Sequence, residues 1–150
     1  MGQSWKERHK VVPAVYVIFE KDGRVLLIRR AGTGYFDGYY SLPAGHLDGG
    51  EPAHIAAIRE AKEEVGVDIS PDDLHFVHTL HRKAEESDHE RIDMFFMAKN
   101  YKGELQNMEP EKCDELRWAS YEDLPENIVP EVRSVFKHLS AGRSYSTFNF

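Results

Sequence analysis

The chain has 150 residues, 41% of them hydrophobic and 30% charged, with a formal net charge of −7 at pH 7. These values predict a soluble domain with a real core, and they argue against a nucleic-acid polymer as partner, which would need a basic face. No apolar run reaches the roughly 20 residues of a membrane helix, the N-terminus does not resemble a signal peptide, and a single cysteine, Cys113, favours a reducing cytoplasm.

The first half of the chain predicts a β-hairpin, a loop and a helix. Val11 to Phe19 is rich in β-branched and aromatic residues, and a Lys-Asp-Gly turn leads to a returning strand, Arg24 to Ile28. A loop dense in glycine and aromatic residues ends in a short strand near Tyr40 to Leu42. A helix is then expected from Pro52 to Val65, closed by Gly66.

The second half predicts more strands and one further helix. Leu74 to Arg82 and Arg91 to Asn100 have the composition of paired strands around a polar loop, Lys83 to Glu90. Glu115 to Ser120 predicts a short strand, and Glu131 to Leu139 has the apolar spacing of an amphipathic helix. No repeat or linker divides the chain, so we expect a single α/β domain with a mixed sheet covered on both sides.

The first predicted helix carries a cluster of carboxylates. Glu60, Glu63 and Glu64 stand at i, i+3 and i+4, where helical side chains are neighbours. A solvated charged face would explain them, but Mg²⁺ also prefers oxygen ligands and commonly bridges carboxylates to substrate phosphates. The apolar residues expected to point away from them, into the core, are Ile55, Ile58, Ala61 and Val65.

The spacing around this cluster resembles the Nudix hydrolase family. The box of that family, G-x5-E-x7-R-E-U-x-E-E-x-G-U with U aliphatic, is matched by Gly45, Glu51, Arg59, Glu60, Glu63, Glu64, Gly66 and Val67. Ala61 stands where a larger aliphatic residue is more usual. The resemblance implies an α/β/α sandwich and cleavage of a pyrophosphate linkage with Mg²⁺, or sometimes Mn²⁺. It leaves a homodimer open.

The resemblance also implies roles for individual residues. Metal binding falls to Glu60, Glu63 and Glu64 and to the main-chain carbonyl of Ala44. Glu63, Glu64 and Arg59 are the catalytic candidates within the box, and Arg59 is expected to pair with Glu51. The residues expected to be structural are Gly45, Glu51 and Gly66.

Candidates outside the box are less sharply defined. The segment from Asn107 to Trp118 contains the letters PEKC and resembles a stretch of MutT-type nucleoside triphosphate diphosphatases. On that likeness Glu111 is the leading further acid, ahead of Glu109, although an acidic surface loop needs no chemistry. His46 is a weak candidate for contacting a phosphate, since a lone histidine is more often structural. Packing is the favoured role of the loop aromatics, Tyr35, Phe36, Tyr39 and Tyr40.

The substrate stays open among several classes. The short chain and the PEKC segment favour a nucleoside triphosphate, including an oxidised or noncanonical one, cleaved to a nucleoside monophosphate and pyrophosphate. Sequence markers of the ADP-ribose, NADH-cleaving and diadenosine polyphosphate types are absent, which weakly disfavours these three types. The enzymatic alternative is another nucleoside diphosphate derivative, such as ADP-ribose or a nucleotide sugar. A non-catalytic nucleotide-sensing module is the alternative of another class, but such proteins commonly lose box carboxylates that this chain keeps.

Overall fold

The computed structural model describes residues 4–84 and 89–150. Within these ranges the chain forms eight strands and two α-helices. The strands are β1 Val11–Lys21, β2 Arg24–Arg30, β3 Tyr40–Ser41, β4 Ala44–His46, β5 Leu74–Lys83, β6 Glu90–Ala98, β7 Cys113–Ser120 and β8 Tyr145–Phe148. The helices are α1 Ala53–Val65 and α2 Pro130–Ser140.

The sheet is mixed because β1 takes neighbours of both directions. The strand order is β3-β2-β1-β6-β5-β8, with β4 added beside β1 and β7 beside β2. Strand β1 runs parallel to β6 and antiparallel to β4, and its last two residues pair antiparallel with β2. The other parallel pair is β5 with β8. This arrangement places β4, which leads into α1, against the first half of β1.

The two faces of the sheet bury separate cores. Side chains alternate along a strand, so Tyr16 and Ile18 of β1 pack towards α2, whereas Val15 and Val17 pack towards α1. Each face is therefore covered by one helix, which confirms the predicted α/β fold with a mixed sheet between helices.

The buried stripe of α1 differs from the predicted one. Its fully buried residues are Ala56, Ala57, Ala61 and Val65. Ile58 is only partly buried and Ile55 lies at the margin of the core. Three alanines let the helix backbone approach the sheet closely, and close packing favours small side chains at such a contact. The prediction was right for Ala61 and Val65, whereas Ile55 and Ile58 each lie one position away from the buried Ala56 and Ala57.

The ends of α1 lie close to their predicted positions. Pro52 is the N-cap, so the helix begins one residue later than expected. Gly66 ends the helix with φ of 78°, and its N–H bonds the carbonyls of Ala61 and Lys62. This left-handed conformation is the reason that glycine suits the position.

Several features lay beyond the sequence prediction. Strands β4 and β8 were not predicted, because each is short and is held by pairing with a strand distant in sequence. The centre of the expected polar loop, residues 85–88, lies outside the described residues. Among the residues that the structure describes, no helix is long and apolar enough to cross a bilayer.

Candidate active site

Strand β4 and helix α1 meet at Gly45 and Glu60. Gly45 pairs with Val15 of β1 and so turns the same face of its strand towards α1. A Cβ at Gly45 would lie 2.1 Å from the Glu60 carboxyl carbon. The Glu60 side chain is only 13% exposed, and burial raises the pKa of its carboxyl group against the opposing effect of Arg59. The box glycine therefore makes room for a box carboxylate.

Glu64 is the most deeply buried carboxylate of the box. The Ala44 N–H donates to its Oε2 at 3.0 Å. Burial raises the pKa of Glu64 to about 8, and the charges of Glu60 and Glu109 act in the same direction. The Ala44 hydrogen bond and the positive charge of Arg30 oppose this shift. The Glu64 carboxyl group is therefore desolvated, and the Ala44 hydrogen bond and the Arg30 charge only partly offset the cost of ionising it.

Arg59 connects the acidic residues of the box. Its Nη2 donates to Glu51 Oε1 at 2.6 Å and its Nε to the same oxygen at 3.0 Å, so the expected Arg59–Glu51 pair is present. Its Nη1 donates to Glu60 at 2.9 Å and reaches Glu63 at 3.5 Å. The pKa of Glu51 is lowered by its hydrogen bond with Arg59. The guanidinium group thus makes its shortest contact with Glu51 through Nη2, and its Nη1 contacts two candidate metal ligands, Glu60 and Glu63.

The candidate ligands of the box are all oxygen atoms, which hard divalent cations such as Mg²⁺ prefer. Glu60, Glu63 and Glu64 offer only oxygen ligands, and burial disfavours the charged forms of Glu60 and Glu64. A bound cation would supply the missing compensation. In residues 4–84 and 89–150, no three acidic, histidine or cysteine side chains already converge closely enough to hold an ion. Glu63, whose side chain is 54% exposed, has the most freedom to move.

The loop after β6 docks on the end of α1. The Met108 N–H donates to the Glu64 main-chain carbonyl at 3.0 Å. Glu109 is the loop acid whose charge raises the pKa of Glu64, and its side chain is 28% exposed. Glu111 is exposed, and its carbonyl oxygen lies 2.8 Å from where a Cβ of Gly32 would be. The charge of Glu109 thus acts on Glu64, whereas Glu111 is exposed.

His46 is not brought together with the box carboxylates. It pairs with Ala14, whose side chain packs towards α2, whereas the neighbouring Gly45 faces α1. The exposed ring accepts a hydrogen bond at Nε2 from Arg91 Nη2 at 2.6 Å. Burial and the charge of Arg91 lower the pKa of His46. These contacts give the histidine a protein partner on the opposite face of β4.

The loop aromatics mostly pack against one another. Tyr35 and Phe36 meet edge to face at 4.7 Å, Phe36 contacts Tyr39, and Tyr40 is buried. Arg30 orders this loop, because its Nε donates to the Tyr35 carbonyl at 2.7 Å. Sequence reasoning missed Arg30, although its position between a strand and a glycine-rich loop was a usable signal.

A buried ionic network also escaped the sequence analysis. Arg82 Nε donates to Asp93 Oδ2 at 2.5 Å, and its Nη1 lies 3.4 Å from Glu131 Oε1. The Tyr35 hydroxyl donates to Glu131 at 3.2 Å, which ties the loop to α2. The signal was present in the sequence, since Arg82 and Asp93 occupy inward-facing positions of strands that should otherwise be apolar.

The sequence of the chain is similar to a known domain family and to characterised hydrolases. Residues 8–139 match the NUDIX domain family. The NAD-capped RNA hydrolase NudC of Pseudomonas aeruginosa is 28% identical over 130 residues, which cover 87% of this chain and 43% of that protein. An ADP-ribose pyrophosphatase of Methanocaldococcus jannaschii is 44% identical over 64 residues, covering 41% of this chain and 37% of that protein. The chain thus spans less than half the length of these curated relatives.

Solved structures share the fold at lower sequence identity. A MutT NUDIX hydrolase from Burkholderia pseudomallei has a TM-score of 0.78 and 24% identity, covering 86% of this chain and 98% of that one. A MutT protein from Bacillus halodurans has a TM-score of 0.72 and 22% identity, covering 93% and 90%. The family match covers α1, all but the last residue of α2 and seven of the eight strands described above, and the chain belongs to the NUDIX domain family.

Proposed function

We propose that this chain is a Mg²⁺-dependent pyrophosphohydrolase acting on a nucleoside diphosphate derivative. The observation that supports this most strongly is the pair of buried carboxylates, Glu60 and Glu64, held against the backbone of β4. Buried carboxylates are costly unless a charge or hydrogen bonds compensate them. A divalent cation with phosphate ligands would supply that compensation.

Glu60 and Glu64 are proposed as the principal ligands, joined by Glu63 and the main-chain carbonyl of Ala44. Bound Mg²⁺, or Mn²⁺ in its place, would neutralise phosphate charge and lower the pKa of attacking water. Arg59 orients the ligands, because its short contacts with Glu51 anchor it beside the helix. Its longer contact with Glu63, at 3.5 Å, is the one most easily exchanged for an ion.

Glu109 is proposed to accept the proton of the attacking water or to add a further ligand. Its charge already acts on Glu64, and the loop that carries it is bonded to the end of α1. Arg30, whose charge also reaches Glu64, is proposed to face the phosphates of the substrate.

The leading substrate class is a nucleoside triphosphate, including oxidised or noncanonical forms, cleaved to nucleoside monophosphate and pyrophosphate. The PEKC resemblance supports this class, and the loop that contains it is bonded to the end of α1. We further propose a single domain that acts in the cytoplasm, where the buried thiol of Cys113 would stay reduced.

A second candidate is a dinucleotide-type pyrophosphate such as NAD or ADP-ribose. Two relatives are named for these chemistries, an NAD-capped RNA hydrolase and an ADP-ribose pyrophosphatase. The matches cover less than half of each relative. The names of the relatives therefore support cleavage of a pyrophosphate linkage, but they do not identify the substrate of this chain. A non-catalytic nucleotide-sensing module is the remaining alternative.

Product analysis over a substrate panel tests the proposal. The purified chain with Mg²⁺ would be offered canonical and oxidised nucleoside triphosphates, ADP-ribose, NAD and a nucleotide sugar, with separate detection of phosphate and pyrophosphate. Release of pyrophosphate and nucleoside monophosphate supports the leading class, and turnover confined to NAD or ADP-ribose supports the second. Nucleotide binding without turnover of any compound would favour a sensor.

A further inference from the structure

A cavity lies between α2 and the sheet, away from the box. Its volume is about 610 Å³, within the range of small-molecule pockets. Its walls are mainly apolar side chains from β6, from α2 and from the segment after β7, namely Met97, Tyr121, Leu124, Phe136 and Leu139. The cavity is therefore built to hold an apolar group.

The position of this cavity separates it from the candidate active site. Glu20 at its rim lies four residues beyond Tyr16, where β4 pairs with β1, or roughly 13 Å along the strand at 3.3 Å per residue. The cavity also opens on the α2 face of the sheet, because Met97 pairs with Ile18, whereas α1 covers the other face. A ligand here would not compete for the box carboxylates.

Two cations stand together at the rim. Arg133 and Lys137 are one turn apart on α2, where like charges repel. Arg133 donates to the Pro125 carbonyl at 2.6 Å, and in the described part of the chain neither residue pairs with an acidic side chain. The nearby acid of the rim, Glu20, accepts a hydrogen bond from the Tyr121 hydroxyl at 2.8 Å instead. Both side chains are exposed, and in a chain of net charge −7 they form a local positive patch beside the apolar walls.

The helix dipole does not explain both cations. Lys137 belongs to the last turn of α2, where a positive charge is favourable. Arg133 lies near the start of the same helix, Pro130–Ser140, where the dipole favours negative charge. An anion between the two side chains would relieve their mutual repulsion.

We propose that this cavity binds a medium-chain aliphatic carboxylate. The chain would pack against the apolar walls, and the carboxylate would lie between the Arg133 guanidinium and the Lys137 ammonium group, which favour charge-assisted hydrogen bonds. Beyond these cations, the polar groups of the lining are Glu20, Ser140 and the Tyr121 hydroxyl. Because the Tyr121 hydroxyl and Glu20 are bonded to each other, few polar groups remain to recognise a nucleotide base, and this favours an aliphatic body.

Calorimetric titration of the full chain with decanoate, below its micelle concentration, tests the site. We expect saturable binding, with decanol and decylamine at least about tenfold weaker because they lack the anion. Lys137→Glu and Arg133→Glu should each weaken decanoate binding by a similar factor. Lys102→Glu is the matched control, since Lys102 is an exposed residue remote from the cavity lining. Equal binding of the three ligands, or unchanged binding in both rim variants, would overturn the proposal.

A second variant keeps the test decisive if a charge reversal impairs folding. Leu124→Trp adds bulk to the wall and should abolish decanoate binding while thermal unfolding stays cooperative. Amide shifts on decanoate addition should centre on Phe136 and Leu139; shifts centred on α1 would contradict the site. Sedimentation would identify a dimer that buries the cavity and excludes decanoate, and that result would also refute the proposal.

Discussion

The carboxyl group of Glu60 lies where a side chain on Gly45 would have to be. A Cβ at Gly45 would come within 2.1 Å of both Cδ and Oε1 of Glu60. Gly45 is thus required for space, and no left-handed backbone conformation accounts for it, since its φ is not among the positive values. The glycine of the box and its first carboxylate form one packed unit.

This contact predicts the effect of Gly45→Ala. The Glu60 carboxylate is the end of a flexible side chain, so we expect it to shift while the fold survives. Affinity for Mn²⁺, measured by titration, should fall about tenfold or more, because one ligand leaves its position. The melting temperature should change little.

A double variant tests whether Gly45→Ala lowers Mn²⁺ affinity by displacing Glu60. In a Glu60→Gln background, Gly45→Ala should lower Mn²⁺ affinity hardly further, because the displaced ligand is already lost. Additive losses would show instead that Gly45 acts through the backbone of β4.

Glu64→Gln should separate catalysis from stability. Removing a charged ligand should lower kcat at least about a hundredfold, since metal-based charge stabilisation is worth several kcal/mol. The amide oxygen of glutamine can still accept the Ala44 hydrogen bond. Hydrolysis unchanged in this variant would exclude Glu64 from the site.

The same variant has a predicted pH signature in chelator-treated protein. Burial raises the pKa of Glu64 from 4.5 to about 8, so the folded state holds a proton that the unfolded state releases between these values. The free energy of unfolding should therefore fall as pH rises through this window. Glu64→Gln should remove that part of the slope in urea titrations, and an identical slope in both proteins would contradict the assigned burial.

Glu109→Gln and Glu111→Gln form a matched pair from one loop. Glu109 influences Glu64 electrostatically, whereas the Glu111 side chain is exposed. We expect a loss of about a hundredfold in kcat for Glu109→Gln, in the range for a general base, and less than about threefold for Glu111→Gln. Steady-state kinetics at saturating Mg²⁺ would measure both, and the reverse order would restore Glu111 as the loop acid.

His78 predicts acid sensitivity on the other side of the molecule. The ring is fully buried between the Arg143 carbonyl and the Ser146 hydroxyl, with His138 stacked at 6.2 Å. Burial lowers the pKa of His78 below 6.5, the Arg143 bond opposes this, and the charge of His138 adds to it. The unfolded state therefore binds a proton first as pH falls, and stability is lost below about pH 6.5.

The measurement compares two histidines of one strand. For His78→Gln the decline in unfolding free energy below about pH 6.5 should be shallower, by up to about 1.4 kcal/mol per pH unit. His75→Gln is the control, because His75 is exposed on the same strand. Equal slopes in the wild type and His78→Gln would refute this prediction.

Much of the fold was predictable because the signals are local. The β-branched and aromatic composition of β1, the turn before β2 and the helical spacing of α2 each depend on residues close in sequence, and the structure contains all three elements. Strands β4 and β8 were missed because three or four residues carry little local preference, and pairing with β1 and β5 holds them.

The sequence by itself determined the family and the carboxylate cluster, since residues at i, i+3 and i+4 of any helix must lie together. Only the tertiary structure decided which neighbours those carboxylates meet. Pairing of β4 with β1 set Gly45 towards α1 and His46 towards α2, and docking of the loop after β6 left Glu109 acting electrostatically on Glu64 and Glu111 exposed. Such contacts join residues far apart in the chain, so no local spacing encodes them; they arise when the sheet and its two helices pack.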